Sequence, residues 1–151
     1  MAIVAELYSS FPTNAMGGNA TGDGPMDLLS DTIKEMLTTS SHTIAQTTHE
    51  LKSSITNEIA GTGGYTTGGH TLASKTYDWS SLTSIFKAAD QTYSASTISA
   101  AQSHIYDDTV ATPAKPLILY RDFGGTSSTS GTDFIIDNDA TAGIFQISVA
   151  T

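Results

Sequence analysis

The chain has 151 residues, no cysteine, and a formal net charge of −9 from 15 acidic residues against six Lys and Arg. That length suits one domain with its own core, and the missing cysteine excludes disulfide staples, thiol catalysis and Cys-ligated zinc. So few cations cannot neutralise a phosphate backbone, which argues against nucleic acid as a partner.

Charged residues make up only 14% of the chain, against about 25% in ordinary soluble domains, and Ser and Thr take their place. A polar, lightly charged surface suits pleated strands and lowers the electrostatic cost of packing many copies side by side.

From the start of the chain, Ile3, Val4, Leu7, Tyr8 and Phe11 fall at helical spacing and predict a short helix with one apolar face. Residues 12–25 then turn to Gly, Asn and Thr, the composition of a flexible tether. Such a tethered segment has two readings: it packs back on its own domain, or it reaches a neighbouring subunit, with those five residues as the interface. The chain divides accordingly into an arm over 1–25 and a single β domain over 26–151.

Met26, Leu29, Ile33, Met36 and Leu37 fit a helical stripe, whereas Ile33, Glu35 and Leu37 alternate with Lys34 and Met36. The Thr and Ser run at 38–41 is poor helix material, so a strand over 32–38 is expected. Ile44, Leu51, Ile55 and Ile59 share one helical face, with Ser41 or Thr43 as cap and Gly61 as terminator, and form the best helix candidate. GTGGYTTGG at 61–69 is turn-rich but lacks the Gly-Lys-Ser/Thr ending of a phosphate-binding loop. Strands follow over 70–79, 84–89 and 96–106.

The stretch from His104 to Gly124 holds the densest apolar run. Leu117, Ile118, Leu119 and Tyr120 are apolar on both faces, as in a strand buried on both sides. Pro113 and Pro116 bracket the connection before it, and Gly124 and Gly125 close it. A loop is expected over 124–132, a strand over 134–137, a turn over 138–143, and a last strand burying Phe145, Ile147 and Val149 on one face. The fold class is therefore mainly β, an antiparallel β-sandwich of about six to eight strands with one or two short helices and a flexible N-terminal arm.

No apolar run approaches the roughly 18 residues that span a bilayer, and no basic stretch precedes an apolar core at the N-terminus; neither a membrane partner nor secretion is expected. Asp107, Asp108, Asp133, Asp137 and Asp139 lack the spacing of a calcium loop and read as turn formers. His42, His49, His70 and His104 show no metal-ligand spacing. Ser and Thr are abundant, but no G-x-S-x-G elbow occurs. Tyr65, Tyr77, Trp79 and Tyr93 read as strand packing and leave weak carbohydrate binding open. No enzyme, metal or cofactor is expected.

The run YDDTVATPAKPLILYRDFG at 106–124, with DFIIDNDATAGIFQISVA at 133–150, resembles the C-terminal part of a family of small structural proteins of tailed bacteriophages. DTIKEMLTTS at 31–40 and TNEIAGTGGYTTGGHTLASKT at 56–76 are similar to that family's earlier segments, in the same order. The resemblance covers residue 31 to the C-terminus. It implies a virion component, above all a capsid cement (decoration) protein on the outer surface of the capsid. Its implied partners are the major capsid protein and further copies of itself, as a homo-oligomer. The alternative is a tail or head-fibre component that binds host surface glycan through exposed loops.

Overall fold

Leu117, Ile118, Leu119 and Tyr120 are buried, as a strand apolar on both faces requires. They open the longest strand of a chain whose computed structural model describes residues 4–16, 26–112 and 114–148. Chain order is β1 (Val4–Leu7), α1 (Phe11–Ala15), β2 (Ile33–Thr38), β3 (His70–Thr71), β4 (Thr76–Ser80), β5 (Thr83–Lys87), β6 (Gln91–Ser96), β7 (Ser99–Asp107), β8 (Leu117–Ser128), β9 (Thr132–Ile136) and β10 (Phe145–Ser148).

All strand pairs are antiparallel. A five-stranded sheet runs β1-β8-β7-β2-β3; beside it lie a three-stranded sheet, β10-β5-β4, and a two-stranded sheet, β6-β9. The fold is the expected antiparallel β-sandwich, though with ten strands among the described residues rather than the expected six to eight.

Each small sheet contributes its own cluster to one face of the large one. Phe86 and Ile144 pack with Ile33, Ile105 and Leu119, while Tyr93, Phe134 and Ile136 pack with Leu37 and Phe123. On the opposite face Met36, Tyr106, Tyr120 and Tyr8 are covered by Ile44 and Ile55. The large sheet is thus buried on both sides, which explains why β7 and the first half of β8 carry almost no exposed residue.

Several expectations from the sequence are corrected. Residues 4–7 form a strand rather than a helix, because Val4 to Leu7 pair with Asp122 to Leu119 on the outer edge of β8. The helix begins only at Phe11, where Pro12 occupies a first-turn position that needs no amide hydrogen. Tyr8 and Phe11 are buried in the chain's own core, so residues 4–16 belong to the β domain and are no free arm. Ile3 and the tether residues 17–25 lie outside the described residues, as do Pro113 and Val149.

The helix expected through Ile44, Leu51, Ile55 and Ile59 is absent from the described residues, which show one 3-10 turn there, Lys52–Ser54. Backbone groups of this Ser/Thr-rich segment bond to the sheet instead: Leu117 N–H donates to Glu50 O, and Ile59 N–H to Leu37 O. The strand expected over 70–79 is split between two sheets at Ser74, whose φ is 52°. The loop expected over 124–132 is mostly strand, since Gly124, at a φ of 70°, lets β8 bend and continue to pair Ser127 and Ser128 with Ala100 and Ser99. In β10 Phe145 packs on the core as expected, but Ile147 on the same face is 57% exposed because nothing covers it there, and Ile144, just before the strand, is buried.

An ion pair stands between the two apolar clusters. Arg121 of β8 donates from Nη1 to Oε1 of Glu35 on β2 at 2.7 Å, and both side chains are almost wholly buried. Ser103 of β7 donates to the same oxygen at 2.6 Å, and Arg121 Nη2 donates to Asn138 Oδ1 at 2.6 Å. Asn138 then donates to Ala89 O and, through its backbone, to Asp90 Oδ1. Glu35 Oε2 has no protein partner.

Replacing Arg121 with Met leaves Glu35 buried and uncompensated, so a loss of about 3–5 kcal/mol is expected in urea unfolding. Arg121→Met/Glu35→Leu should recover part of it; a double variant worse than the single would show that the carboxylate is not the source of the loss. Leu119→Ala should cost about 2–5 kcal/mol. Ile147→Ala should cost less than about 1 kcal/mol; equal losses in the same assay would put the core elsewhere.

Candidate functional site

Period-two alternation in β4 and β5 sets the face on which a site can form. Strand register aligns Tyr77, Phe86 and Phe145 in one row across the three-stranded sheet, and Trp79, Ser84 and Ile147 in the next row on the same face. In the first row Phe86 is buried and Phe145 packs partly against it, with Phe86 5.3 Å from Tyr77 and 5.5 Å from Phe145 between ring centroids, while Tyr77 at the β4 edge stays 45% exposed. Phe11 meets Phe145 edge-on at 5.4 Å. The second row extends past that cover: Trp79 is 81% exposed, and Met16, just beyond α1, is 80% exposed.

Between these elements runs a groove of about 740 Å³, walled by Leu7, Phe11, Ala15 and Met16 on one side and by Tyr77 and Ile147 on the other. It lies on the open flank of the sandwich, where β1 and β10, edge strands of the two stacked sheets, face each other. Among the described residues no charged side chain lines it. The nearby β4 edge carries Asp78, paired with Lys87 at 2.6 Å. A surface of this kind accepts apolar side chains.

A smaller hollow of about 490 Å³ lies between the ends of β8 and β9, where Thr126, Ser127, Ser128 and Asp133 surround Phe123 and Phe134. Its polar rim is suited to hydroxyl-rich ligands.

Several other titratable groups have structural partners. Asp139 Oδ1 accepts the Thr141 and Ala142 amides, and these bonds hold its carboxyl below the usual range. Asp108 bonds to Lys34 and Lys115 at 2.8 and 2.7 Å. Asp107 Oδ1 caps Thr109 and Val110, while burial, with Asp31 beside it, pushes its carboxyl up to about 6.

His104 sits at the centre of a satisfied network. Gln102 Nε2 donates to His42 O, so its Oε1 takes the Thr38 hydroxyl proton. Thr38 Oγ1 must then accept from His104 Nε2 at 3.2 Å, which leaves Nδ1 to accept from the Tyr8 hydroxyl at 2.8 Å. Burial, with His42 and His49 nearby, lowers the imidazole to about 3.

No family model, curated protein or solved structure matches this chain. The site therefore stands on its own geometry. No helix among the described residues is long and apolar enough to cross a membrane, and no group of three or more His, Asp or Glu among them is arranged to hold a metal ion.

Of the residues expected at a subunit interface, Leu7 and Phe11 do border the groove, Val4 of β1 pairs with Asp122 of β8, and Tyr8 is spent on His104. Full burial removes Tyr8, and near-full burial Phe11, from the exposed interface expected of them. Tyr65 and Tyr93 are core residues, whereas Trp79 is not. The alternation of Tyr77 and Trp79 with Thr76, Asp78 and Ser80 is the sequence signal of this half-exposed aromatic face.

With His104 neutral when folded and near 6.5 when unfolded, the unfolded chain binds the extra proton between pH 6.5 and 3. Its contribution to stability is complete above that window and falls as pH drops, by up to about 1.4 kcal/mol per unit. Asp107 acts in the opposite direction below pH 6. A comparison of urea midpoints at pH 7, 5 and 4 for the parent and His104→Gln isolates the histidine: the parent should lose more stability on acidification, and parallel losses would refute the assignment.

Proposed function

We propose that this protein is a structural component of a tailed-bacteriophage virion, a capsid cement protein that binds the outer surface of the head and bridges neighbouring major capsid subunits. The uncovered apolar face around Trp79, Ile147 and Met16 carries this reading, because a soluble surface keeps such a patch when something covers it. A rigid sandwich, few charges and an uncharged groove are the means by which a small domain adds apolar contact to a lattice without chemistry of its own. The resemblance of residues 106–124 to phage structural proteins supplies the identity of that lattice.

A second reading, a head-fibre or tail component that binds glycan, is favoured by the hydroxyl-lined hollow beside Phe123 and Phe134. Quantitative mass spectrometry of purified particles separates the two. A cement protein should approach the copy number of the major capsid protein; a few to tens of copies per particle would support the fibre or tail reading instead.

A further inference from the structure

We propose that the outer edge of β4 takes up one extended strand from another protein, which lays apolar side chains on Tyr77 and Trp79 and sets a cation opposite Asp78. The proposal rests on the docking reading above and names the chemistry of the partner that this edge fits.

Register shows which backbone groups the edge offers. Ser81 and Leu82 form a two-residue loop between the paired Ser80 and Thr83, with Ser81 at a φ of 54°, and such loops join a hydrogen-bonded pair. Hydrogen-bonded pairs recur at every second residue of an antiparallel ladder, so Asp78 and Thr76 also bond to β5. Tyr77 and Trp79 therefore turn their N–H and C=O groups outward. Among the described residues β4 ends its sheet, and no backbone bond from a loop reaches that side. A row of unpaired backbone groups is a template for an added strand.

Side chains on the same edge state what that strand carries. Tyr77, Trp79 and, in the hairpin loop, Leu82 are three of the seven exposed large hydrophobics among the described residues. Tyr77 and Trp79 share one face, so residues directly opposite them in an added strand meet their rings as cross-strand neighbours. Asp78 points to the other face. Both cations near the edge are engaged, Lys87 by Asp78 at 2.6 Å and Lys75 by the Asp31 carbonyl, while Asp27 stands exposed beside Tyr77. In a chain of net charge −9, a Lys or Arg between two apolar residues complements such an edge.

The same charge disfavours a second copy here. The antiparallel self-pairing that engages both Tyr77 and Trp79 sets Asp78 directly against Asp78. One added strand is a small contact, and a lattice that engages many copies multiplies it.

Trp79 is the only tryptophan in the chain, so its emission reports whether the edge is covered. The probes are two short capped peptides of alternating valine and threonine, one with a central lysine and one with a central glutamate, added to the full chain. Binding is followed by Trp79 emission and, with labelled peptide, by fluorescence anisotropy. The lysine peptide should bind, shift the emission to the blue and slow amide exchange at Tyr77 and Trp79. The glutamate peptide should bind at least about threefold more weakly, and Asp78→Lys should reverse that order. Trp79→Pro removes an outward N–H without breaking the ladder to β5. It should weaken binding at least about tenfold, and Trp79→Thr less, with melting temperatures within a few degrees of the parent. Failure of the lysine peptide to bind, or binding indifferent to Trp79→Pro and Asp78→Lys, overturns the proposal. So does a blue shift that grows with the concentration of the chain alone, which assigns the edge to a second copy, or one produced by a soluble oligosaccharide and by neither peptide. Capsid co-sedimentation of the same proteins keeps the two readings apart. Capsid binding that survives both variants, with no peptide bound, upholds the cement role and refutes the edge; peptide binding as described with no capsid binding upholds the edge and refutes the cement role.

Discussion

The buried pair of Arg121 and Glu35 is the constraint around which the sandwich is arranged. It lies where the two small sheets meet over the large one, between the cluster around Phe86 and the cluster around Tyr93. A charge at that depth is tolerated only if its partners are held in place. Ser103 fixes the carboxylate from the middle strand, and Asn138 fixes the guanidinium from the connection that leads to β10. Asn138 in turn grips Ala89 and Asp90 in the connection between β5 and β6. One polar node thus sets where three sheets stand relative to one another. An apolar replacement of equal volume would fill the space without specifying that arrangement.

The opposite face is specified by a second polar chain of a different kind. From Gln102 through Thr38 and His104 to Tyr8, every hydrogen bond is made by a neutral group, and its direction follows from the one before it. The chain docks the N-terminal segment: Tyr8 follows β1 directly, and its ring meets Tyr120 edge-on at 5.4 Å. Gln46 Nε2 also donates to Leu7 O. The segment is therefore held by ladder bonds, ring contacts and a buried imidazole together. Close backbone approach reinforces the same sheet at β3, where a Cβ on Gly69 would collide with the Glu35 carbonyl.

Holding β1 in the large sheet has a consequence for function. It places Leu7 and α1 opposite β10 and so creates the groove wall that a free arm could not supply. The small sheet extends past this wall, leaving the Trp79–Ser84–Ile147 row exposed while Phe86 and Phe145 of the row before it are packed. Assembly surface and core are successive rows of one sheet face. An apolar surface anchored on paired strands is preorganised, so little entropy is lost when it is covered.

The sequence by itself determined the β class, the doubly buried strand at Leu117 to Tyr120, the strand at 33–38, the turn around Asp139 and the absence of thiol chemistry, because each follows from local composition or period. It misassigned Ile44, Leu51, Ile55 and Ile59, whose helical spacing was coincidental. The helical spacing of Ile3, Val4, Leu7, Tyr8 and Phe11 likewise misleads, since β8 as an available edge, with Leu119 the partner of Leu7 and Asp122 that of Val4, leaves no mark on local pattern. Only the tertiary structure decided that Arg121 meets Glu35, that Tyr8 meets His104, and that Trp79 and Ile147 share an uncovered row. Those meetings depend on strand order and register, which join residues far apart in the chain and are set by how whole sheets pack.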